Sequence, residues 1–181
     1  FFITFISVIV AATICLGGAF PQTNVFLAAI SAALTLAAGN ILNDIFDLET
    51  DKINHPQRPL PSGTINIKQS YILYFALIIF SLFISSFISM PVLLIVLSSN
   101  LLLILYTIFL KNIPLVGNIG VAFLTGLVFI FGGVVVENPS AAVVPAIFAF
   151  LINLIREIVK DLQDIEGDKN AGLLTFPIKF G

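Results

Sequence analysis

The stretch LAAISAALTLAAGNILNDIFDLETD, from Leu27 to Asp51, decides the fold. Its first part is apolar and uncharged, and its end gathers Asn43, Asp44, Asp47, Glu49 and Asp51. A bilayer core of about 30 Å takes about 20 apolar residues in a helix. The stretch therefore belongs to a membrane span over 23–43 that opens into an acidic loop. Ala29, Ala33 and Ala37 recur at steps of four, the small-residue pattern that lets membrane helices pack closely.

The rest of the chain follows the same pattern. Of 181 residues, 59% are hydrophobic and 10% charged, against roughly 45–50% and about 25% in a soluble domain. That balance excludes a soluble enzyme and a disordered chain. A net charge of −2 offers no basic surface to nucleic acid. The single cysteine, Cys15, excludes an internal disulfide framework and a multi-cysteine zinc site. Six spans are expected, over 1–20, 23–43, 70–89, 91–110, 116–136 and 141–159. Their runs are continuous rather than alternating, so the fold class is all-α, a polytopic membrane helical bundle, and not a barrel. Ser81, Ser85 and Ser89 form a second small-residue stripe, whose hydroxyls are expected to bond back to their own helix. Residues 1–181 read as one domain. With no initiator Met and no polar tail, the chain is expected to be a fragment lacking C-terminal helices. No basic segment precedes Phe1, so no cleavable signal peptide is expected.

All eight Lys and Arg residues follow even-numbered spans. Lys52, Arg58 and Lys68 follow the second, Lys111 the fourth, and Arg156, Lys160, Lys169 and Lys179 close or follow the sixth. The positive-inside rule makes that face cytoplasmic, which predicts a multi-pass cell-membrane protein with its active face toward the cytoplasm. Of the ten acidic residues only Glu137 lies on the other side. A channel or carrier would place polar groups at mid-span, where Asn100 and Asn153 are the main exceptions. The pattern suits a ligand with a charged head at the interface and a greasy tail in the bilayer.

Aspartates at 44, 47 and 51 return at 161, 164 and 168, each pair 117 positions apart. Four spans separate the sets, which reads as a duplicated four-helix unit. Steps of three and four put each set on one helical face, where like charges repel. Two readings stand: solvated acidic loops without metal, or carboxylates held by a cation. Oxygen-only ligands suit a hard ion such as Mg²⁺, which takes one or two carboxylates plus phosphate oxygens. Calcium is a lesser option, since the EF-hand spacing fails. Two facing clusters could clamp a diphosphate between metal ions.

The chain resembles the UbiA superfamily of intramembrane prenyltransferases. Asn43, Asp44, Asp47 and Asp51 match its N-D-x-x-D-x-x-x-D signature, and Asp164 and Asp168 its D-x-x-x-D signature, with Asp161 one turn earlier. Arg58-Pro59-Leu60-Pro61-Ser62-Gly63 resembles its R-P-L-x-x-G stretch. Tyr106 and Lys111, with Gly117-Asn118, resemble its Y-x-x-x-x-K and G-N elements. The run from Arg156 to Lys169 is most similar to the archaeal ether-lipid branch, with Gln163 where Glu is expected. Homogentisate prenyltransferases and chlorophyll synthases carry similar stretches. The superfamily has nine transmembrane helices, which adds to the expectation of a fragment.

The resemblance implies an enzyme that is Mg²⁺-dependent and moves a geranylgeranyl group from its diphosphate to the hydroxyl of geranylgeranylglyceryl phosphate. It implies Asn43, Asp47, Asp164 and Asp168 as first ligands to the metal. Asp44, Asp51 and Asp161 follow as further ligands or as holders of basic residues. Arg58, Lys111 and Lys160 would face phosphate, Asn118 and Arg156 would bind substrate, and Tyr106 would steady an allylic carbocation. The partners implied are an isoprenyl diphosphate, a lipid-like acceptor and membrane lipid, with no obligate protein partner. One rival is an aromatic prenyltransferase acting on a benzoate or homogentisate. A second, from another class, is a membrane transporter. A structural anchor gives no reason to gather these aspartates on one face.

Overall fold

The computed structural model of the chain describes residues 1–163, 165 and 175–180. The helices are α1 (Phe2–Cys15), α2 (Thr23–Phe46), α3 (Leu48–Asn54), α4 (Ile67–Ser86), α5 (Met90–Ile108), α6 (Val116–Val135), α7 (Val143–Gln163) and α8 (Phe176–Phe180). Short 3-10 turns at Leu110–Asn112 and Pro139–Ala142 lead into α6 and α7. Among the described residues there is no strand. The helices α2, α4, α5 and α6, and the continuous segment Pro139–Gln163, are long and apolar enough to cross a membrane.

The first expected span is corrected. Helix α1 has 14 residues, about 21 Å at 1.5 Å per residue, rather than the full run 1–20. Gly17 and Gly18 take left-handed backbone (φ +67° and +92°). The Gly18 N–H donates to the Thr13 carbonyl at 2.9 Å, and the helix ends there. Asn138, from the loop after α6, donates through Nδ2 to the Cys15 carbonyl at 2.9 Å and satisfies an otherwise open helix end.

The third span starts earlier than expected because Asn66 and Gln69 form a reciprocal capping box, both bonds 2.9 Å. It stops at Ser86, so the serine stripe does not run along one helix. Ser89 instead caps α5, its hydroxyl accepting from the Val92 N–H, with Pro91 in the first turn. Ser81 and Ser85 do bond back to their own helix, at 2.9 and 2.7 Å. They also meet Ser31 of α2: its hydroxyl donates to the Ser81 carbonyl at 2.9 Å and lies 2.7 Å from the Ser85 hydroxyl.

Helix α2 is the centre of the bundle and packs against α1, α4, α5 and α6. Its alanines make this possible: Ala28, Ala29 and Ala38 are fully buried and Ala33 nearly so. They let four neighbours approach one axis. Val8, Val92, Val96 and Phe131 of α1, α5 and α6 fill the core around them. Phenylalanines such as Phe75, Phe80, Phe83 and Phe148 face outward, as expected where the surrounding solvent is lipid.

Gly132 sets the approach of α6 to α1. A Cβ there would sit 2.7 Å from the Ala11 Cβ and 2.9 Å from the Val8 carbonyl oxygen. Gly132→Ala is expected to destabilise the bundle by about 1–3 kcal/mol through overpacking. At Gly120 an added Cβ would meet only Tyr106 Cδ2, at an ordinary 3.8 Å. Gly120→Ala should be neutral or stabilising by up to about 1 kcal/mol. Melting temperatures of the two variants in one detergent check the contrast.

Candidate active site

The polar chemistry of the described residues collects at one end of the bundle. It stands where α2 breaks into α3, where α5 turns into α6, and along the last turns of α7. Asp47 is the break itself, closing α2 and opening α3 with φ −93° and ψ 6°. The expected single face of carboxylates is divided there. Asp47 turns to Lys111, whose Nζ donates to Asp47 Oδ1 at 2.5 Å and to Asn43 Oδ1 at 3.4 Å. Asp51 and Asp44 turn to Arg58, which donates to Asp51 Oδ2 at 2.7 Å and lies 3.6 Å from Asp44 Oδ1. Two side-chain cations thus balance the charge repulsion that the spacing predicts. Among the described residues no three His, Cys, Asp or Glu side chains form a group able to hold a metal.

Lys111 is placed by a close turn. Leu110–Asn112 folds back on the start of α6, and a Cβ at Gly117 would meet the Leu110 carbonyl oxygen and Lys111 Cα at 3.1 Å. Leu115, with φ +67°, takes a left-handed backbone uncommon for leucine, and α6 starts directly after it. One residue beyond Gly117, Asn118 donates through Nδ2 to Asp161 Oδ2 at 2.9 Å, tying α6 to α7. Asp161 therefore holds Asn118 from α7, the opposite side of the site from Asp47.

Two cavities meet at this end. The larger, about 450 Å³, runs between α1, α2, α5, α6 and α7 and is mostly apolar. The smaller, about 90 Å³, is polar and walled by Lys111, Asn118, Lys160 and Asp161. Tyr106, Val121 and Glu157 line both. Asn43 and Arg156 face the larger cavity, and Arg156 pairs with Glu157 at 2.9 Å. His55 and Lys68 are exposed in the loop and at the start of α4. Asp164 and Asp168, two of the four first-choice metal ligands, lie outside the described residues, as do Glu166, Gly167 and Lys169.

Glu157, close enough to Asp161 in the sequence to reach the site or to serve only in an ion pair, does both: it lines the two cavities and pairs with Arg156. Its signal in the sequence is the step of four to Asp161, which puts both on one face of α7.

A profile of the UbiA prenyltransferase family matches residues 4–181. The chain is 40% identical over 166 residues to the digeranylgeranylglyceryl phosphate synthase of Methanopyrus kandleri, covering 92% of this chain and 61% of that one. It spans about three fifths of the length of the curated relatives it matches. A solved structure described as digeranylgeranylglyceryl phosphate synthase in membranes superposes with a TM-score of 0.82 at 38% identity, over 99% of this chain and 64% of that one. A UbiA homologue from Archaeoglobus fulgidus bound to DMAPP and Mg²⁺ shares the fold, with a TM-score of 0.74 at 19% identity, over 99% of this chain and 66% of that one.

Asp51 is 5% exposed, and Arg58 is its partner. Removing Arg58 leaves a buried carboxylate without its cation. Arg58→Ala should cost about 1–3 kcal/mol of stability. Lys52→Ala removes only an exposed pair with Glu49 and should cost less than about 1 kcal/mol. Thermal unfolding of the two variants in detergent checks the order.

Proposed function

This chain belongs to the UbiA prenyltransferase family and is an integral multi-pass membrane protein, and we propose that it carries the donor-binding and catalytic part of an ether-lipid prenyltransferase. The reaction moves a geranylgeranyl group from its diphosphate to the hydroxyl of geranylgeranylglyceryl phosphate. The site faces the cytoplasm in this reading, as the lysine and arginine distribution supports. The remaining helices of a nine-helix bundle belong to the longer protein. The observation that carries the proposal is the shared wall at Tyr106: a mostly apolar cavity and a cation-lined polar pocket meet at one aromatic side chain. That is the shape of a molecule with a hydrocarbon tail and a diphosphate head.

The residues fit a divalent ion by their chemistry. Asn43 Oδ1 and Asp47 Oδ1 converge on one positive point, the Lys111 ammonium, and hard cations take such oxygens. Asn43 and Asp47 would hold Mg²⁺ from one side, with Asp164 and Asp168 from the second motif; Asp44, Asp51 and Asp161 would support them by holding Arg58 and Asn118. When bound, the ion supplies Lewis-acid stabilisation to the departing diphosphate.

The chain's own groups account for the rest. Lys111 and Lys160 wall the polar pocket and stabilise the charge that builds on the leaving group; Arg58 adds to that field from the loop. The allylic C–O bond breaks with its electron pair going to diphosphate. Tyr106 presents its ring to the cation left behind. The apolar cavity keeps water from capturing that cation. The acceptor hydroxyl forms the new C–O bond, and Glu157, facing both cavities, receives its proton.

Membranes holding the full-length protein, supplied with labelled geranylgeranyl diphosphate and geranylgeranylglyceryl phosphate, should form the ether product with Mg²⁺ and none with EDTA. Asp47→Ala and Lys111→Met should each lower turnover by about 100-fold or more. Product on an aromatic acid instead would keep the head-and-tail site and overturn the acceptor.

A further inference from the structure

The larger cavity carries a polar feature that a hydrocarbon tail does not explain. Thr107 of α5 is 1% exposed, and its hydroxyl has no hydrogen-bond partner among the described residues. Asn153 of α7 has a buried Nδ2 that is likewise without a partner among them. Both residues line the same cavity. A buried donor left unpaired is costly, and two such groups, each set just behind the wall of one cavity, mark a place where a side-chain rotation would bring them to a ligand oxygen. Thr125, which lines the same cavity, does not share this state: it donates to the Val121 carbonyl at 3.0 Å.

A prenyl tail is carbon and hydrogen alone and offers these groups nothing. Asn153 Nδ2 is a pure donor and needs an acceptor such as an ether, hydroxyl or phosphate oxygen. Arg156 lies one turn further along α7 and lines the same cavity. A lipid with a phosphate at Arg156 and oxygens between Asn153 and Thr107 would give all three side chains a partner. We infer that Thr107 and Asn153 form an oxygen-binding subsite for the glycerol backbone of the acceptor lipid, set inside the cavity and apart from the diphosphate pocket. The choice of a glyceryl lipid rests on the proposed acceptor; the need for a ligand oxygen between α5 and α7 does not. The subsite would discriminate between two lipids of equal tail and equal phosphate by the glycerol between them, since a site built to hydrogen-bond an oxygen rejects the analogue that lacks it.

Binding separates this from turnover. Purified full-length protein is titrated with geranylgeranylglyceryl phosphate and, separately, with geranylgeranyl phosphate, by calorimetry in one detergent. Thr107→Val and Asn153→Leu should each weaken the glyceryl lipid by about tenfold and leave the simple phosphate within about twofold, while Thr107→Ser retains affinity for both. Equal weakening of both lipids, no weakening of either, or a wild type that binds the two alike overturns the subsite. A glyceryl lipid bound through both side chains yet never alkylated would instead overturn the proposed acceptor and leave the subsite standing.

Discussion

The contact between Lys111 and the Asn43–Asp47 pair is the constraint from which the site follows. It joins the end of α2 to the turn between α5 and α6, across 64 residues of chain. Lys111 is 17% exposed at its side chain, so its charge is only partly screened by water and acts strongly on what lies near it. Two further ties depend on the same corner. Arg58 gathers Asp44 and Asp51 on one side, and Asn118 holds Asp161 on the other. Without these pairs the end of the bundle would present several carboxylates and ammoniums with nothing to orient them. With them, Lys111 is held at the wall of the small pocket and Arg58 is held beside the end of α2 before any ligand arrives.

Packing below that corner is governed by small residues, for a reason specific to the bilayer. Lipid tails are as apolar as leucine, so burying apolar side chains between helices gains little there. Close approach of backbones gains more. The alanines of α2 and Gly132 of α6 let helices come together around one axis, and the larger cavity remains where they do not. The outward phenylalanines fill no part of the core; they meet the lipid.

Much of this was legible in the sequence, and what was not has physical causes. Continuous apolar runs revealed α2, α4, α5, α6 and α7, because a helix in lipid must satisfy its own backbone. The first span was overestimated because Gly17 and Gly18 are apolar by composition but left-handed by conformation. Ser89 was read as part of a helix stripe because its role as a cap depends on where the chain turns. The resemblance implied Asp44 and Asp51 as further metal ligands or as holders of basic residues, and the structure brings both to Arg58. The break at Asp47, which sends the three carboxylates in two directions, does not follow from spacing. Thr107 carries no local signal of a cavity, since a cavity exists only where five helices are placed together.

The serine contact between α2 and α4 sets a further limit on what the bundle can do. A helix of alanines offers its neighbour many nearly equivalent vertical positions, as a smooth rod does in a sleeve. Ser31, fully buried and shared between the Ser81 carbonyl and the Ser85 hydroxyl, allows one of them. Sliding α4 along its axis would draw the Ser81 carbonyl and the Ser85 hydroxyl away from Ser31, in hydrocarbon with no water to replace them. The pair is therefore a vernier for the fold. It fixes the height of α4 against α2, and with it the depth at which the loop bearing Arg58 emerges from the membrane.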